Sequence, residues 1–474
     1  VQEKAGAMRA VVVAGVHSGV GKTTVATGLM AAYRRRGLRV QGFKVGPDYI
    51  DASYHTAACG RASRTLDGWM LGLDAVSELF AQAAAAADLC VIEGVMGLFD
   101  GRTGGRGAGS TAEIAALLGI PILLVVDGWK IARSAAAIVH GYRTFDPSIR
   151  IEGVVLNNIA GEGHYQAIAP PIEEETGVPV LGSLGHDDAL ALPERYLGLV
   201  PVSEGPLGEQ YFDRLAATIE RSLDLERILR IAETATLPNS APSQLFPEEP
   251  QPARAHIAIA QDRAFSFYYP DSLDLLTAWG AEFVPFSPLD DAGLPEGTDG
   301  VYIGGGFPEL FAAELAANTP MHEALQRAAG KGIPIYAECG GYMYAGDSLI
   351  DADGREHTMA GLLPLRSSMS GPRMTLGYRE VRTLVDGPLA PAGSEFRGHE
   401  FHWSTSEPLP TSQAGYLVKP DRGGGDRYEG SVAGSVWGSY VHLHFGADPM
   451  LAPHFVETCS NRRSTPVTGV RHGH

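Results

Sequence analysis

The sequence is poor in cysteine, in aromatic residues and in positive charge. Its 474 residues include four cysteines, Cys59, Cys90, Cys339 and Cys459. None forms a Cys-x-x-Cys pair, which speaks against a zinc cluster or a disulfide framework and fits a reducing cytoplasm. Lysine and arginine total 37 against 55 aspartates and glutamates, a net charge of −18. Contacts to nucleic-acid phosphates need a basic face, so no nucleic-acid partner is expected; a local basic pocket for an anionic small molecule stays open. No apolar run has the length of a bilayer, so no membrane partner is expected either. Val1–Ala10 lacks the apolar core of a signal peptide, and Arg462–His474 reads as a polar, frayed tail.

What is present is enough apolar material, 45% of residues, for sizeable cores. The length exceeds one ordinary domain. In the first half, short apolar runs at Ala10–Ala14, Val40–Val45, Leu89–Ile92, Ile122–Val126, Ile151–Leu156 and Val180–Leu184 alternate with helical stretches, beginning with Thr23–Arg36. Continuous apolar strands separated by helices predict an α/β fold with a parallel sheet covered on both faces. One helix is expected over Gln210–Ala235. The Pro-, Ser- and acid-rich run that follows has no periodicity and predicts a linker. Strand and helix patterns restart at His256–Ala260, Ser272–Trp279, Ala281–Pro285, Gly300–Ile303 and Ile333–Ala337, and residues 361–441 look β-rich. The expected organisation is a first domain over 8–235, a linker over 236–254, a second domain over 255–455 and a tail over 456–474.

Gly15-Val16-His17-Ser18-Gly19-Val20-Gly21-Lys22-Thr23-Thr24 follows a strand and opens a helix, the context a phosphate-binding loop requires. Gly15, Ser18, Gly19, Val20, Gly21, Lys22, Thr23 and Thr24 are therefore candidate ATP-binding residues. Lys22 would reach the β- and γ-phosphates, and the Thr23 hydroxyl would hold Mg²⁺. Five residues rather than the usual four separate Gly15 from Gly21; this longer loop resembles the dethiobiotin synthetase type. Asp48, Asp51, Glu93 and Asp100 follow strand ends, where the loops of a parallel sheet converge on ligand. Mg²⁺ takes few carboxylates. Asp48 and Glu93 join Thr23 as candidate metal ligands, and Lys44, Asp51 and Asp100 are candidates for substrate binding and phosphoryl transfer. Asp51 could instead cap a helix. Asn157 could read a base edge of the nucleotide or simply make a turn.

Cys339 sits between an apolar strand and Gly340-Gly341, where a sharp turn into a helix exposes a nucleophile. The helix N-terminus would favour the thiolate and supply an oxyanion N–H. Gly305 and Gly306, with Gly340, are the candidate oxyanion residues. A nucleophilic cysteine needs a base. In Tyr440-Val441-His442-Leu443-His444-Phe445, strand alternation puts His442 and His444 on one face, so spacing leaves both open. His399 and His402 are further candidates.

The segments Phe43–Asp51, Glu93–Gly101, Ala337–Gly341 and Gly398–His402 resemble those of the cobyrinic acid a,c-diamide synthase family of cobalamin biosynthesis, and the resemblance runs from about Arg9 to Pro453. It implies a dethiobiotin-synthetase-like P-loop ATPase domain joined to a flavodoxin-like class I glutamine amidotransferase domain. It implies ATP and Mg²⁺ as cofactors, glutamine or ammonia as nitrogen source, and a corrinoid or related tetrapyrrole carboxylate as acceptor. Cys339 would release ammonia from glutamine, with His442 rather than His444 as its base. The acetate side chains would be phosphorylated and then amidated. Class I amidotransferases usually carry His-Pro-Glu at this place; Leu443-His444 follows instead, so the triad acid is absent there and a Cys–His pair is expected. Hydrogenobyrinic acid and nickel sirohydrochlorin are alternative acceptors, and cobyric acid synthase is the nearest enzymatic rival. Arg195, Arg373, Arg379 and Arg397 are candidate carboxylate binders, and a second copy of the chain is a candidate partner. A partition-type switch ATPase, the alternative from another class, would carry a lysine early in the loop where His17 stands, and would have no use for the Cys339 domain.

Overall fold

The computed structural model describes residues 8–461 apart from 103–104, 106, 188–189, 191, 193, 196–197, 200–207, 237–242, 372–373, 410 and 422. The chain divides into two compact units, Val1–Pro242 and Ser243–His474. Among the described residues no helix is long and apolar enough to cross a membrane.

The first unit is built on seven strands in the order Arg64–Leu66, Val40–Val45, Leu89–Glu93, Ala10–Gly15, Ile122–Asp127, Ile151–Asn157, Val180–Ser183. Every pairing is parallel. Helices cover such a sheet on both faces, which explains why its central strands are apolar without alternation. The register fixes the chemistry at one end. Lys44 lies directly across from Glu93, and Glu93 across from Val13, two residues before the strand ends at Gly15.

Two expectations for this unit need correction. The single helix expected over Gln210–Ala235 is two, Glu209–Ser222 and Leu225–Ala232. The chain breaks at Leu223-Asp224, where the Asp224 carboxylate accepts the Arg227 N–H at 2.9 Å and caps the second helix. The helix after Pro47 is capped by Asp48, whose side chain accepts from the N–H groups of Ile50 and Asp51, and not by Asp51.

The second unit holds a six-stranded sheet in the order Ala281–Phe286, Ala255–Ala260, Gly300–Ile303, Ile335–Glu338, Val436–Ser439, Ser431–Ala433. The first five run parallel and the last is an antiparallel edge. Numbered along the chain, those five have the flavodoxin-like order 2-1-3-4-5. The β-rich region expected over 361–441 contributes strands to the edge of this sheet and to two further sheets. One is a five-stranded antiparallel sheet that ends in Thr375–Thr383, Glu395–His402 and His442–Leu443. Residues 243–254, counted with the linker, run along this unit: Trp279 Nε1 donates to Leu245 O at 2.9 Å, and Gln251 N to Ala278 O at 2.8 Å. Residues 456–460, expected in the tail, belong instead to a helix, Leu451–Ser460, because Phe455, Val456 and Cys459 bury its apolar face.

Replacing the helix cap by Asp224→Ala should cost the first unit about 1 kcal/mol. A lowered urea midpoint of the transition assigned to that unit would register the loss.

Candidate active site

Two constellations emerge, one in each unit. In the first, the loop between Gly15 and Lys22 turns through Gly19 at φ 78° and Gly21 at φ 97°, a left-handed region that favours glycine. A Cβ on Gly21 would lie 2.3 Å from Asn157 Nδ2. That amide already donates to Val20 O at 2.9 Å. Asn157 therefore braces the loop from below. Leu98 N donates to Gly15 O at 2.8 Å and Tyr142 Oη to Val16 O at 2.5 Å, so two more segments hold the loop from its sides.

Glu93 is the hub at the loop's base. It is fully buried. Its Oε1 accepts from Thr23 Oγ1 at 2.6 Å and from Lys44 Nζ at 3.0 Å, while Oε2 lies 2.6 Å from His55 Nε2. Burial works against its charge, but Lys44, His55 and Thr23 outweigh it and hold the carboxyl well below the usual range. Lys44 also pairs with Asp51 at 2.6 Å. Burial again opposes the charge, and Asp51, Glu93 and Asp48 together push the ammonium upward. Lys22 donates to His17 O at 3.2 Å. Burial first, then repulsion from Lys44, pulls its ammonium down to about 8. A phosphate at the loop would favour the charged form. Asp100 lies at the rim, accepting from Gly97 N at 3.0 Å. His55 and Tyr142 escaped the sequence reading, since a helical histidine and a helical tyrosine carry no local signal.

Asp48, Asp51 and Glu93 gather around the buried Lys44, and burial, then repulsion from Asp48, pushes the Asp51 carboxyl up to about 8. No group of three or more His, Cys, Asp or Glu among the described residues forms a metal cage by itself. Mg²⁺ does not need one, because phosphates and water complete its shell. The Thr23–Glu93 pair beside the phosphate loop fits that mode.

In the second unit Cys339 caps the short helix Gly340–Ala345 with φ 49° and ψ −104°. A non-glycine residue held there stores about 1–3 kcal/mol of backbone strain, a cost typical of functional turns. The elbow is possible because Gly340 and Gly341 carry no side chains. A Cβ on Gly341 would meet Ile303 O at 2.2 Å, and one on Gly340 would lie 3.0 Å from Gly306 N. Gly340 and Gly306 thus meet beside the thiol, and Gly305 borders it through His442.

His442 shares a hydrogen bond with Cys339. Burial opposes its protonation, yet the Cys339 thiolate and the Glu338 carboxylate push it up to about 10. With a helix of only six residues behind Cys339, this imidazolium is the nearer source of positive charge. The alternation expected to align His444 with His442 does not hold. The strand stops at Leu443, and His444 turns away to accept from Gly446 N at 2.9 Å and to pack at a tilt against Tyr269, with centroids 4.9 Å apart. His399 lies directly across from His442 and stacks on it at 5.0 Å. Burial, then His442, keeps it neutral by driving it well below the usual range. His402 stacks on Tyr440 at 3.8 Å and is pulled down by burial to about 4.

The expected arginine cluster does not form among the described side chains. Arg379 is buried and bound to Glu400, which Arg427 also contacts. Arg397 is exposed and lines a separate cavity with Glu380, Arg382, Lys419 and Asp426. The side chain of Arg195 and all of Arg373 lie outside the described residues.

Comparison with known proteins sharpens this picture. The family described as a CobQ/CobB/MinD/ParA nucleotide binding domain matches residues 11–199, and the CobB/CobQ-like glutamine amidotransferase domain matches residues 256–450. A cobyrinate a,c-diamide synthase from Dehalococcoides mccartyi is 47% identical over 94% of this chain and 97% of its own. The chain belongs to the cobyrinate a,c-diamide synthase family. Relatives of the same name from Priestia megaterium and Salmonella typhimurium are 42% and 43% identical, covering 95% and 94% of this chain and 97% of each relative. As a member of the cobyrinate a,c-diamide synthase family it is a glutamine-hydrolysing amidoligase, with an ATP-binding P-loop unit and an amidotransferase unit of flavodoxin-like order.

Gly305→Ala would drive a methyl group to 2.7 Å from His442 Cε1. A displacement of about 1 Å at such a contact is worth about 100-fold in rate. Glutamine hydrolysis should fall by about that factor while circular dichroism stays unchanged.

Proposed function

We propose that this enzyme amidates the a- and c-acetate carboxylates of cobyrinic acid, or of its cobalt-free counterpart hydrogenobyrinic acid, in the cytoplasm. The reading is supported by one observation above others: a single chain holds a Thr23–Glu93–Lys44 cluster at a phosphate loop and a strained Cys339 paired with His442. The first arrangement suits activating an acid and the second suits freeing nitrogen. The relatives named for cobyrinate supply the acceptor, and the four free thiols suit a reducing compartment.

In the amidotransferase unit, the Cys339 thiolate attacks the carboxamide carbon of glutamine. The carbon–nitrogen bond breaks as His442 gives its proton to the departing nitrogen, leaving ammonia and a glutamyl thioester. His442 then takes a proton from water, whose oxygen displaces the thiolate and frees glutamate. The backbone N–H groups of Gly305, Gly306 and Gly340 are the candidates to face the developing oxyanion.

In the P-loop unit, a free carboxylate is a poor electrophile. Transfer of the γ-phosphoryl group to it creates a leaving group, and ammonia attack then expels phosphate. Gly15, Ser18, Gly19, Val20, Gly21, Lys22 and Thr24 cradle the nucleotide, with Asn157 holding the loop's shape. Thr23 and Glu93 would hold Mg²⁺, which when bound neutralises phosphate charge. Asp48 has Oδ1 occupied by its cap, leaving Oδ2 for the ion or its water. Lys44, Asp51 and Asp100 orient the acyl group and the transferred phosphoryl oxygens.

Incubation with ATP, Mg²⁺ and glutamine, followed by mass spectrometry, tests the acceptor. Cobyrinic acid should gain two amides, with one glutamine and one ATP consumed for each. A gain on nickel sirohydrochlorin alone, or at side chains other than a and c, would reassign it. Cys339→Ala should abolish glutamine use and retain amidation from ammonium; losing both would contradict the division of labour. Glu93→Gln should lower the ammonium-dependent rate by about 100-fold or more, and an unaltered rate would remove Glu93 from the site.

A further inference from the structure

No acid stands immediately after His442 along the chain; Leu443 and His444 come next, and His444 is engaged elsewhere. The His442 ring nonetheless faces a carboxylate through its Nδ1 nitrogen. Glu338, the residue immediately before the nucleophile, places Oε2 3.8 Å from His442 Nδ1. Glu338 is 1% exposed, and its orientation is fixed from several directions. Oε1 accepts from Tyr336 Oη at 2.5 Å and from the backbone N–H of Leu443 at 3.1 Å. Oε2 accepts from Tyr302 Oη at 3.2 Å. The strands carrying Glu338 and Tyr302 are neighbours, with Tyr302 across from Tyr336, so the parallel sheet itself presents both hydroxyls.

We propose that Glu338 is the positioning residue of the glutaminase pair, standing in for the acid that is missing after His442. The inference rests on the Cys339–His442 reading given above. Through Leu443 N it ties the histidine's strand to the cysteine's strand. Through Oε2 it holds the Nδ1 side of the ring, so that the opposite nitrogen is directed at the thiol. The 3.8 Å separation is an ion-pair distance, and such contacts are often long in a free enzyme and tighten in its substrate complex. A carboxylate that orients and stabilises an imidazolium without taking its proton is the known division of roles in nucleophile–base–acid triads. Here the acid comes from the strand end before the nucleophile, so one rigid element carries both groups. His399, kept neutral, stacks on the ring's face, while Glu338 meets the ring at Nδ1.

Glu338→Gln keeps an acceptor for Tyr336 and Leu443 and removes the charge. It should lower kcat for glutamine hydrolysis by about 100-fold or more and leave KM for glutamine within about threefold, with ammonium-dependent amidation reporting an intact fold. Glu338→Asp should recover part of kcat. A merely structural Glu338 would instead reduce the folded fraction without changing turnover per folded molecule, which would overturn the proposal. A glutaminase-active Cys339→Ala protein would instead overturn the underlying reading. If Glu338→Gln does not fold, the wild-type enzyme labelled with ¹⁵N-histidine decides: a strongly deshielded Nδ1 proton on His442 supports the pair, and an ordinary one refutes it.

Discussion

A buried carboxylate at the carboxyl end of a parallel strand organises each half of this chain. Glu93 ends Leu89–Glu93 and Glu338 ends Ile335–Glu338, and both side chains are almost wholly removed from water. An isolated carboxylate in such a place would be costly by several kcal/mol. Each is therefore surrounded by donors. Glu93 gathers Thr23, Lys44 and His55. Glu338 gathers two tyrosine hydroxyls and the backbone beside His442.

The two sites differ in how charge is balanced. In the P-loop unit Asp48, Asp51 and Glu93 gather around the buried Lys44 and favour its charge, burial pushes the Asp51 carboxyl upward, and burial pulls the Lys22 ammonium downward. Under the proposed function, the phosphates of a magnesium–nucleotide complex would compensate the charge of Lys22 and its metal would meet the carboxylates. In the amidotransferase unit the positive charge is internal. His442 sits between a thiol and a carboxylate, and both favour its protonated form against the penalty of burial. Strain at Cys339 is maintained by the sheet and by close glycine contacts on either side of the turn.

Much of the fold was legible because its signals are local. Apolar runs at Ala10–Ala14, Leu89–Ile92 and Ile122–Val126 mark buried parallel strands, and Gly21-Lys22-Thr23 marks a strand-to-helix turn. Local reading failed where a long-range contact decides the outcome. The helix expected over 210–235 breaks because Asp224 N bonds to Leu181 O, in the last strand of the sheet, while its side chain caps the next helix. Val456 and Cys459 belong to a helix and not a tail because the second unit's core receives them.

For the chemistry, the sequence by itself determined which residue types stand at strand ends: a lysine and threonine after glycine, acids after apolar runs, a cysteine between a strand and two glycines. These follow from short-range backbone rules and need no partner to be read. Only the tertiary structure decided who meets whom. Lys44 and Glu93 are 49 positions apart and become neighbours through strand register. His442 and His444 have equal standing in a strand pattern, and they separate because the strand ends at Leu443. Glu338 reads as one more strand-end acid until the sheet brings Tyr302, Leu443 and His442 around it. Spacing along a chain fixes the direction of a side chain, whereas its partners depend on how distant strands are laid side by side.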